Sequence, residues 1–444
     1  MIPMGICIAA FAAAFFAGRR ALWQGVAAVL AVGYAYGIVR ANAAGATHLM
    51  FDAAVAGLFA AQLWKVMRAD DRPGLYVLKC WTLLLVAWPT LLFFSLQGDV
   101  LVELVGWRAN VFLLPCLLIG AQLDDDSVYS IALAMAVLNI IAGVFGALEF
   151  TFGLQMFFPY SEVTDMLYQS RLSDQESIGL RIPATFVNAH AYGGTMVMTL
   201  PFIFGAWIQP RERSHGHLLT AALGASLLGV FMAGARTPML VLAGLVVLVT
   251  LSGRLRGYAW ASWAGVMAVV GWVVSSDGRL QRYVSLQDTA FLAERWSGSV
   301  NHEFFDIMGA YPFGRGLAGG GTSIPYFLQD RFQANFVMEN EFARIVLEQG
   351  IPGLFMWVLF MAFVLSRGWG RGPKDDVWHL SRRLVLMTTA AYFLFALTGI
   401  GLLTSVPQSM VLLLGIGWIS VKRPVVAREL LPERLRRAEL AVSA

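Results

Sequence analysis

Residues 128–150 have the sequence VYSIALAMAVLNIIAGVFGALEF, in which Glu149 is the one residue that carries a charge at neutral pH. A helix that crosses the roughly 30 Å hydrocarbon core of a bilayer needs about 20 mostly apolar residues. This stretch meets that requirement, and its continuous apolar character differs from the alternating pattern of a transmembrane β-barrel strand. It therefore predicts a membrane-spanning helix.

Apolar runs of this kind recur along the whole chain of 444 residues. Hydrophobic residues make up 58% of the sequence and charged residues only 14%, whereas a soluble domain is usually about half apolar and about a quarter charged. The runs that we interpret as spans are 2–17, 21–39, 49–66, 75–95, 109–123, 128–150, 191–208, 217–234, 238–252, 258–274, 341–366, 384–402 and 406–421. The chain is thus predicted to be an all-α, polytopic membrane helix bundle of about 12–13 spans.

Basic residues are concentrated in one alternating set of the loops between these runs. That set carries Arg19, Arg20, Lys65, Arg68, Arg72, Arg211, Arg213, Arg254, Arg256, Arg367, Arg371, Lys374, Arg382 and Arg383, and the other short loops carry only Arg40, Arg108 and Arg236. Because loops rich in Lys and Arg stay in the cytoplasm, the N-terminus is predicted outside and the C-terminal tail inside.

The predicted organisation follows from the spans and from two polar segments that fall outside. It comprises N-terminal spans (1–150), a first outer segment (151–190), central spans (191–274), a large helical outer loop (275–338), C-terminal spans (339–421) and a basic inner tail (422–444). The tail is interpreted as a solvated helix at the inner surface that attracts anionic membrane lipids weakly.

The sequence contains no recognisable metal or nucleotide motif. The three cysteines, Cys7, Cys80 and Cys116, lie far apart in apolar runs. His302-Glu303 lacks the second histidine of a zinc motif, because Asp306 stands in its place. The glycines of 314–321 are not followed by the GK[ST] of a phosphate-binding loop, so we expect them to allow a tight return of the chain.

Several arginines lie in the predicted outer segments, namely Arg181, Arg236, Arg279, Arg282, Arg295 and Arg315. A guanidinium is always charged and binds phosphate oxygens in pairs, so these residues suit a polyprenyl diphosphate at the outer surface. The simpler interpretation of any one of them is an arginine that reaches toward lipid headgroups.

Residues 290–310 predict an amphipathic helix against the bundle. Trp296, Val300, Phe304 and Ile307 share one face, and Arg295, Ser299, His302 and Asp306 lie on an adjacent one. Arg295 would then face a cavity between the loop and the bundle. The alternative is a surface helix with ordinary polar residues.

Polar residues also mark the starts of predicted helices. Asp124–Asp126 and Asn188 precede spans, and Thr237 is predicted to cap the helix whose first residue is Pro238. Glu339 and Asn340 stand at the mouth of a span, where Glu339 could act as a general base. The alternative for Glu339 is charge complementarity with the helix N-terminus.

Three blocks of the sequence resemble the bacterial O-antigen ligase and O-antigen polymerase superfamily. They are 181–201 (RIPATFVNAHAYGGTMVMTLP), 294–321 (ERWSGSVNHEFFDIMGAYPFGRGLAGGG) and 339–354 (ENEFARIVLEQGIPGL). The chain has Ala184 where the family pattern has glycine, Ala189-His190 where it has Pro-Asn, and Glu339 where it has histidine.

The resemblance implies a GT-C-like, metal-independent and cofactor-free inverting glycosyltransferase in the bacterial inner membrane, with its active site facing the periplasm. Its implied partners are an undecaprenyl-diphosphate-linked glycan donor, a glycan or lipid A–core acceptor, membrane lipids and a chain-length regulator, but no nucleic acid. Arg181 and Arg295 would stabilise the diphosphate, and Glu339 would deprotonate the acceptor hydroxyl. Substrate-binding roles fall to Arg236, Asn340, Asn188, His302 and Arg315.

Glu339 in place of histidine favours a polymerase for O-antigen, capsule or exopolysaccharide over a ligase. Two other classes remain as alternatives. A flippase or other transporter of lipid-linked glycans would be expected to carry ionisable residues in mid-span and repeated halves. A scaffold of a polysaccharide assembly complex would have no catalytic activity.

Overall fold

The computed structural model describes residues 2–43, 45–68, 74–95, 99–159, 181–255, 257–275, 303–320, 340–368, 378–399 and 401–421, and the single positions 289, 293, 297, 328 and 331. Every regular element within these ranges is a helix, and none is a strand. The prediction of an all-α fold is therefore confirmed.

The first half of the described chain contains seven α-helices. They are α1 (Ile2–Arg20), α2 (Leu22–Asn42), α3 (Met50–Arg68), α4 (Leu75–Phe94), α5 (Val100–Val111), α6 (Cys116–Gln122) and α7 (Asp125–Phe152). Short 3-10 helices at Ala46–Leu49 and Leu154–Met156 precede α3 and follow α7.

The second half contributes the remaining helices of the described ranges. They are α8 (Ala189–Ile208), α9 (Arg213–Ala233), α10 (Arg236–Leu251), α11 (Tyr258–Ser275), α12 (Glu303–Ala310), α13 (Glu341–Gly368), α14 (His379–Phe395) and α15 (Gln408–Ser420).

Eight helical stretches within the described ranges are long and apolar enough to cross a membrane, which makes this a multi-pass membrane protein. They are Leu22–Asn42, Thr47–Arg68, Leu75–Phe94, Val100–Gln122, Asp125–Phe152, Ala189–Ile208, Arg213–Ala233 and Glu341–Arg367. Three further predicted spans coincide with shorter apolar helices, and the predicted spans 2–17 and 384–402 fall on α1 and α14.

The centre of the bundle is α8, which is almost completely enclosed by α7, α9, α10, α14 and α15. A polar contact ties three of these helices together, because the Asn139 side chain on α7 donates to Thr199 (2.8 Å) and to Ser226 (2.7 Å). Hydrogen bonds of this kind hold helices together where the surroundings are apolar.

Two predicted span boundaries differ from the structure. The span predicted at 109–123 begins at Val100, because Glu103 and Arg108 are satisfied inside the protein and do not interrupt the helix. The span predicted at 384–402 is helical only to Phe395. The chain then continues irregularly, with Gly401 at φ 118°, into Pro407 and α15.

Residues 181–188, which we call the strap, cross one end of the bundle, where α7 ends and α8 begins. Residues 311–320, the glycine loop, lie at the same end against α5 and the start of α13. So do residues 396–399 and 401–407, the linker between α14 and α15. We call this end of the bundle the strap end, and it contains the predicted functional residues that the structure describes, namely Arg181, Asn188, Arg236, Arg315 and Asn340.

Candidate functional site

The strap is folded into the bundle and is fastened to three helices. The N–H of Ile182 donates to the Met232 carbonyl of α9 (3.3 Å), and the Thr185 carbonyl accepts from the N–H of Gly37 of α2 (3.0 Å). The Ala184 N–H donates to Glu149 Oε2 of α7 (2.9 Å). Polar backbone groups that are buried in this way need such partners, so the strap has a defined place.

Aromatic side chains also pack against the strap. Phe186 is buried, and its ring centroid lies 4.9 Å from that of Tyr34 and 5.5 Å from that of Tyr192. Asn188 ends the strap and caps α8, because its side-chain oxygen accepts from the Ala191 N–H at 2.8 Å. The prediction that Asn188 stands at a helix start is confirmed.

Ala184 has a left-handed backbone, with φ of 50°. This region suits glycine and costs an L-residue energy because its Cβ crowds the following carbonyl. It is also the position at which the superfamily pattern has glycine. The left-handed conformation at Ala184 is thus one that glycine would adopt without strain.

The glycine loop reverses direction with left-handed residues at Gly314, Gly316 and Ala318, as its composition predicts. Its backbone pairs with α13, because the Arg315 N–H donates to the Leu347 carbonyl (2.6 Å) and the Ile351 N–H donates to the Pro312 carbonyl (2.8 Å). The loop is thus joined to the third block of the resemblance by main-chain bonds.

Gly350 makes this pairing possible. Its φ of 72° interrupts α13 and turns the chain toward Pro312, and a Cβ at this position would lie only 2.5 Å from the Phe313 carbonyl carbon. Any residue with a Cβ would have a strained backbone here, and its Cβ would overlap Phe313. The break leaves the start of α13, from Glu341 to Gln349, as a separate platform against the glycine loop.

That platform holds a buried ionic cluster. Arg344, which is 1% exposed, donates to Glu341 at 2.7 Å and to Glu348 at 2.5 Å. Asn110 of α5 donates to Glu348 at 2.7 Å and accepts from Gln349 at 2.9 Å. Charged side chains that are buried in this way need well-placed ion-pair and hydrogen-bond partners. The cluster supplies these partners and links α5 to α13.

The cluster extends to the glycine loop and to the linker. Glu103 of α5 accepts from the Leu317 N–H at 3.0 Å, and Glu341 accepts from the Gly401 N–H at 2.8 Å. The Glu341 N–H donates to the Ala396 carbonyl at 2.8 Å. The acidic residues therefore hold two irregular segments in place by accepting from their main chain.

The start of α15, which follows the linker, packs against the first block of the resemblance. A Cβ at Gly194 of α8 would overlap Gln408, the first residue of α15, and Ser409 donates to the Gly401 carbonyl at 3.1 Å. Parts of all three blocks, which are spread over residues 181–354 in the sequence, thus lie at the strap end of the bundle.

Arg181 and Arg236, two of the predicted phosphate-binding residues, lie at this end. Arg181 begins the strap, is half-buried, and has no hydrogen-bond or ion-pair partner among the residues that the structure describes. Arg236 is the first residue of α10 and is also half-buried. The prediction that Thr237 caps this helix is wrong, because α10 begins two residues earlier than predicted, with Ala235 at the N-cap and no side-chain cap.

Arg315 and Asn340, two predicted substrate-binding residues, differ in their exposure. Arg315 is exposed, and its guanidinium carbon lies 6.0 Å from the Tyr311 ring centroid. Asn340 is fully buried and caps α13, because its side-chain oxygen accepts from Phe342 (2.9 Å) and Ala343 (3.2 Å). Its position is therefore fixed by capping, and its role toward a substrate stays a prediction.

Glu339, Arg295 and His302 lie outside the described residues, so their predicted roles rest on the sequence alone. The described part of their surroundings fits the predicted amphipathic helix. Ile307 of α12 is buried against Val346 and Leu347 of α13, and Asp306 on the other face is exposed.

One carboxyl at the edge of this region is exposed. Asp99 caps α5 and accepts from the Leu101 N–H (2.9 Å), and it pairs with Arg331 at 3.3 Å. These hydrogen bonds, that of Leu101 first, hold the pKa of Asp99 below its usual value.

Four buried charged residues of this site are absent from our sequence-based prediction, namely Glu103, Glu149, Arg344 and Glu348. A signal existed for two of them, because Arg344 and Glu348 are four residues apart inside an apolar run, and charged residues in spans mark protein-facing sites. Glu103 and Glu149 bond only to main-chain N–H groups among their described partners. No sequence pattern announces such bonds.

Within the described ranges, no group of three or more His, Cys, Asp or Glu residues is arranged to hold a metal ion. No protein-family model matches the chain, and a search of curated proteins returns no match. The interpretation of the site therefore rests on its geometry and on the sequence resemblance.

Proposed function

We propose that this protein is a membrane glycosyltransferase that transfers or polymerises oligosaccharide units carried on undecaprenyl diphosphate, at the periplasmic face of a bacterial inner membrane. The observation that supports it is the convergence of the three resembling blocks at the strap end. The glycine loop and the start of α13 are joined to each other by main-chain bonds, and the strap, which is bonded to α2, α7 and α9, lies at the same end of the bundle.

The chemistry requires groups that stabilise a diphosphate leaving group. In the proposed reaction the acceptor hydroxyl oxygen attacks the anomeric carbon of the donor, the bond from that carbon to the diphosphate breaks, and configuration inverts. Arg181 and Arg295 would neutralise the charge that develops on the diphosphate, and Arg236 would bind a lipid phosphate. The sugar–diphosphate bond supplies the energy, so no nucleotide is consumed.

The proton of the acceptor hydroxyl would go to the Glu339 carboxylate, which acts as the general base. Asn340 follows Glu339 directly in the sequence and is fixed as the cap of α13. A carboxylate at position 339, where the ligases that the sequence resembles have histidine, favours a polymerase over a ligase.

Purified protein with an undecaprenyl-diphosphate-linked repeat oligosaccharide tests this proposal, with and without lipid A–core. We expect a ladder of products from the donor alone. A product that forms only with lipid A–core would instead establish a ligase. Transport of the donor across a vesicle bilayer without any new glycosidic bond would overturn the proposal in favour of a transporter.

Site variants test the assigned roles separately from the overall reaction. Glu339→Gln, Arg295→Ala and Arg181→Ala should each lower turnover by about 100-fold or more, since each removes a group that acts in the transition state. Arg213→Ala is the matched control, because Arg213 is exposed at the opposite end of the bundle. Near-normal turnover of a site variant at normal expression would remove that residue from the mechanism.

A further inference from the structure

We propose that Glu149 is a positioning residue that fastens the strap to α7 and thereby holds Arg181 in place. The fastening is a property of the fold, and only its consequence for catalysis rests on the proposed function. Glu149 lies in the last turn of α7, outside the three blocks that resemble the superfamily, so the resemblance assigns it no role.

Glu149 is fully buried at 0% exposure. A carboxyl group in such a place is costly unless hydrogen bonds compensate for the lost water. Among the described residues its partner is the Ala184 N–H, which reaches Oε2 at 2.9 Å, and Oε1 has none. The hydrogen bond that the structure describes for the Glu149 side chain therefore holds the main chain of the strap.

Ile182 and Thr185 of the strap are held by main-chain atoms of α9 and α2. Gly37 and Ile38 donate their N–H groups to the Thr185 carbonyl, and the Met232 carbonyl accepts from Ile182. Main-chain bonds persist whatever the side chain is. The bond from Glu149 is made by a side chain, so a substitution can remove it, unlike the main-chain bonds of Ile182 and Thr185.

Arg181 depends on this fastening because its own side chain has no partner in the described part of the chain. It lies three residues before Ala184, a distance of about 10 Å at most along the main chain. Its position is thus set by the strap backbone. If the strap loosens, the guanidinium loses its orientation toward a diphosphate, and misplacement by about 1 Å can cost 100-fold in rate.

Hydrogen exchange of the purified protein tests the fastening without any assay of activity. The amides of 181–188 should exchange about tenfold faster in Glu149→Ala than in the wild type, because the Ala184 N–H loses its acceptor. Glu149→Gln keeps an acceptor oxygen and should remain within about threefold of the wild type. Thr151→Ala is the control, since Thr151 is exposed on α7 and bonds only to carbonyls of its own helix.

Unchanged exchange in Glu149→Ala would overturn the proposal, and so would equal acceleration in all three variants, which would indicate general loosening of α7. This readout stands even if the wild type forms no glycosidic bond. A wild type that forms no glycosidic bond would contradict the proposed function. The role of Glu149 in fastening the strap would still be tested by hydrogen exchange.

With an active wild type, a double-mutant cycle tests the link to Arg181. Glu149→Ala should lower kcat/KM by about tenfold or more, with partial recovery in Glu149→Gln. Combined with Arg181→Ala it should cause no further loss beyond that of Arg181→Ala alone, because both changes remove the same interaction. Multiplicative losses would show that Glu149 does not act through Arg181 and would overturn the positioning role.

Discussion

Ala184 has a backbone conformation that residues with a Cβ rarely adopt. Its φ of 50° suits glycine, while its N–H and its burial at 0% exposure fix it in the strap. Replacing it with glycine should remove the strain without removing the hydrogen bond, because the bond is made by the main chain.

We therefore expect Ala184→Gly to stabilise the protein by about 0.5–1 kcal/mol, after allowing for the greater freedom of glycine in the unfolded chain. Thermal unfolding in detergent measures this as a higher Tm. Ala147→Gly is the matched control, since Ala147 is exposed inside α7 and the same change there should lower stability by up to about 1 kcal/mol. A lower Tm for both variants would contradict the argument.

Arg344 is the cation on which two buried carboxylates depend. Removing it by Arg344→Ala would leave Glu341 and Glu348 buried without their ion-pair partner, and breaking a buried ion pair typically costs about 3–5 kcal/mol. We expect loss of folded monomer, measured by size-exclusion chromatography of the tagged protein.

Arg331→Ala is the control for this change, because Arg331 forms an exposed pair with Asp99. Exposed ion pairs contribute about 0–1 kcal/mol, so this variant should behave as the wild type. Equal yields of folded monomer for the two variants would mean that the buried cluster does not hold the platform together.

At the scale of elements, the glycine loop and α5 fit together because Gly106 has no side chain. A Cβ at this position would overlap the backbone nitrogen of Ala318 and crowd Leu317, whose N–H is bonded to Glu103. The loop therefore cannot keep its seat if residue 106 gains a methyl group.

Gly106→Ala should displace the loop, lower the Tm and expose residues 311–320 to protease. Gly244→Ala is the matched control on α10, since a Cβ there would meet nothing within 4 Å and alanine is the better helix former by about 1 kcal/mol. It should be neutral or stabilising. If Gly106→Ala is equally well tolerated, the loop is not seated by this contact.

Elements that the sequence predicts well are those whose hydrophobicity alone places them. The predicted span 128–150 lies within α7, and 191–208 lies within α8. The start of α5 was missed because Glu103 and Arg108 lower its hydropathy. Their partners, the Leu317 N–H and Asp52, come from distant segments that no local pattern reveals.

The same limit applies to the candidate site. Arg181, Asn188 and Arg236 could be predicted to lie together at one end, because each precedes a span that runs in the same direction. The buried carboxylates could not, since Glu149 and Glu103 serve the main chain of segments far away in sequence. Local patterns indicate which residues reach the surface, whereas tertiary contacts decide what they hold.

At the scale of the whole molecule, the two ends of the bundle differ in the kind of charge they carry. Besides the surface pair of Asp99 with Arg331, the strap end buries an ionic cluster around Arg344, whereas the pairs at the opposite end, Arg211 with Asp126 and Arg382 with Asp125, reach the surface. The distribution of basic residues predicts that this opposite end faces the cytoplasm.

That topology is a prediction on which the proposed function depends, because the lipid-linked donor must meet the strap end from the periplasm. After Cys7, Cys80 and Cys116 are replaced by alanine, single cysteines can be introduced as Ser95→Cys at the strap end and Ser214→Cys at the other end. Both serines are exposed. In intact cells a membrane-impermeant maleimide should label the first variant and should label the second only after the inner membrane is permeabilised.

The two variants control for each other, because they differ in the end of the bundle and share an exposed position beside a helix terminus. The reverse pattern of labelling would place Arg181, Arg236 and Arg315 on the cytoplasmic side. Transfer at the periplasmic face would then be ruled out, although the helical fold and the fastening of the strap by Glu149 would remain. Labelling of Ser95→Cys alone in intact cells is the outcome that the charge distribution requires.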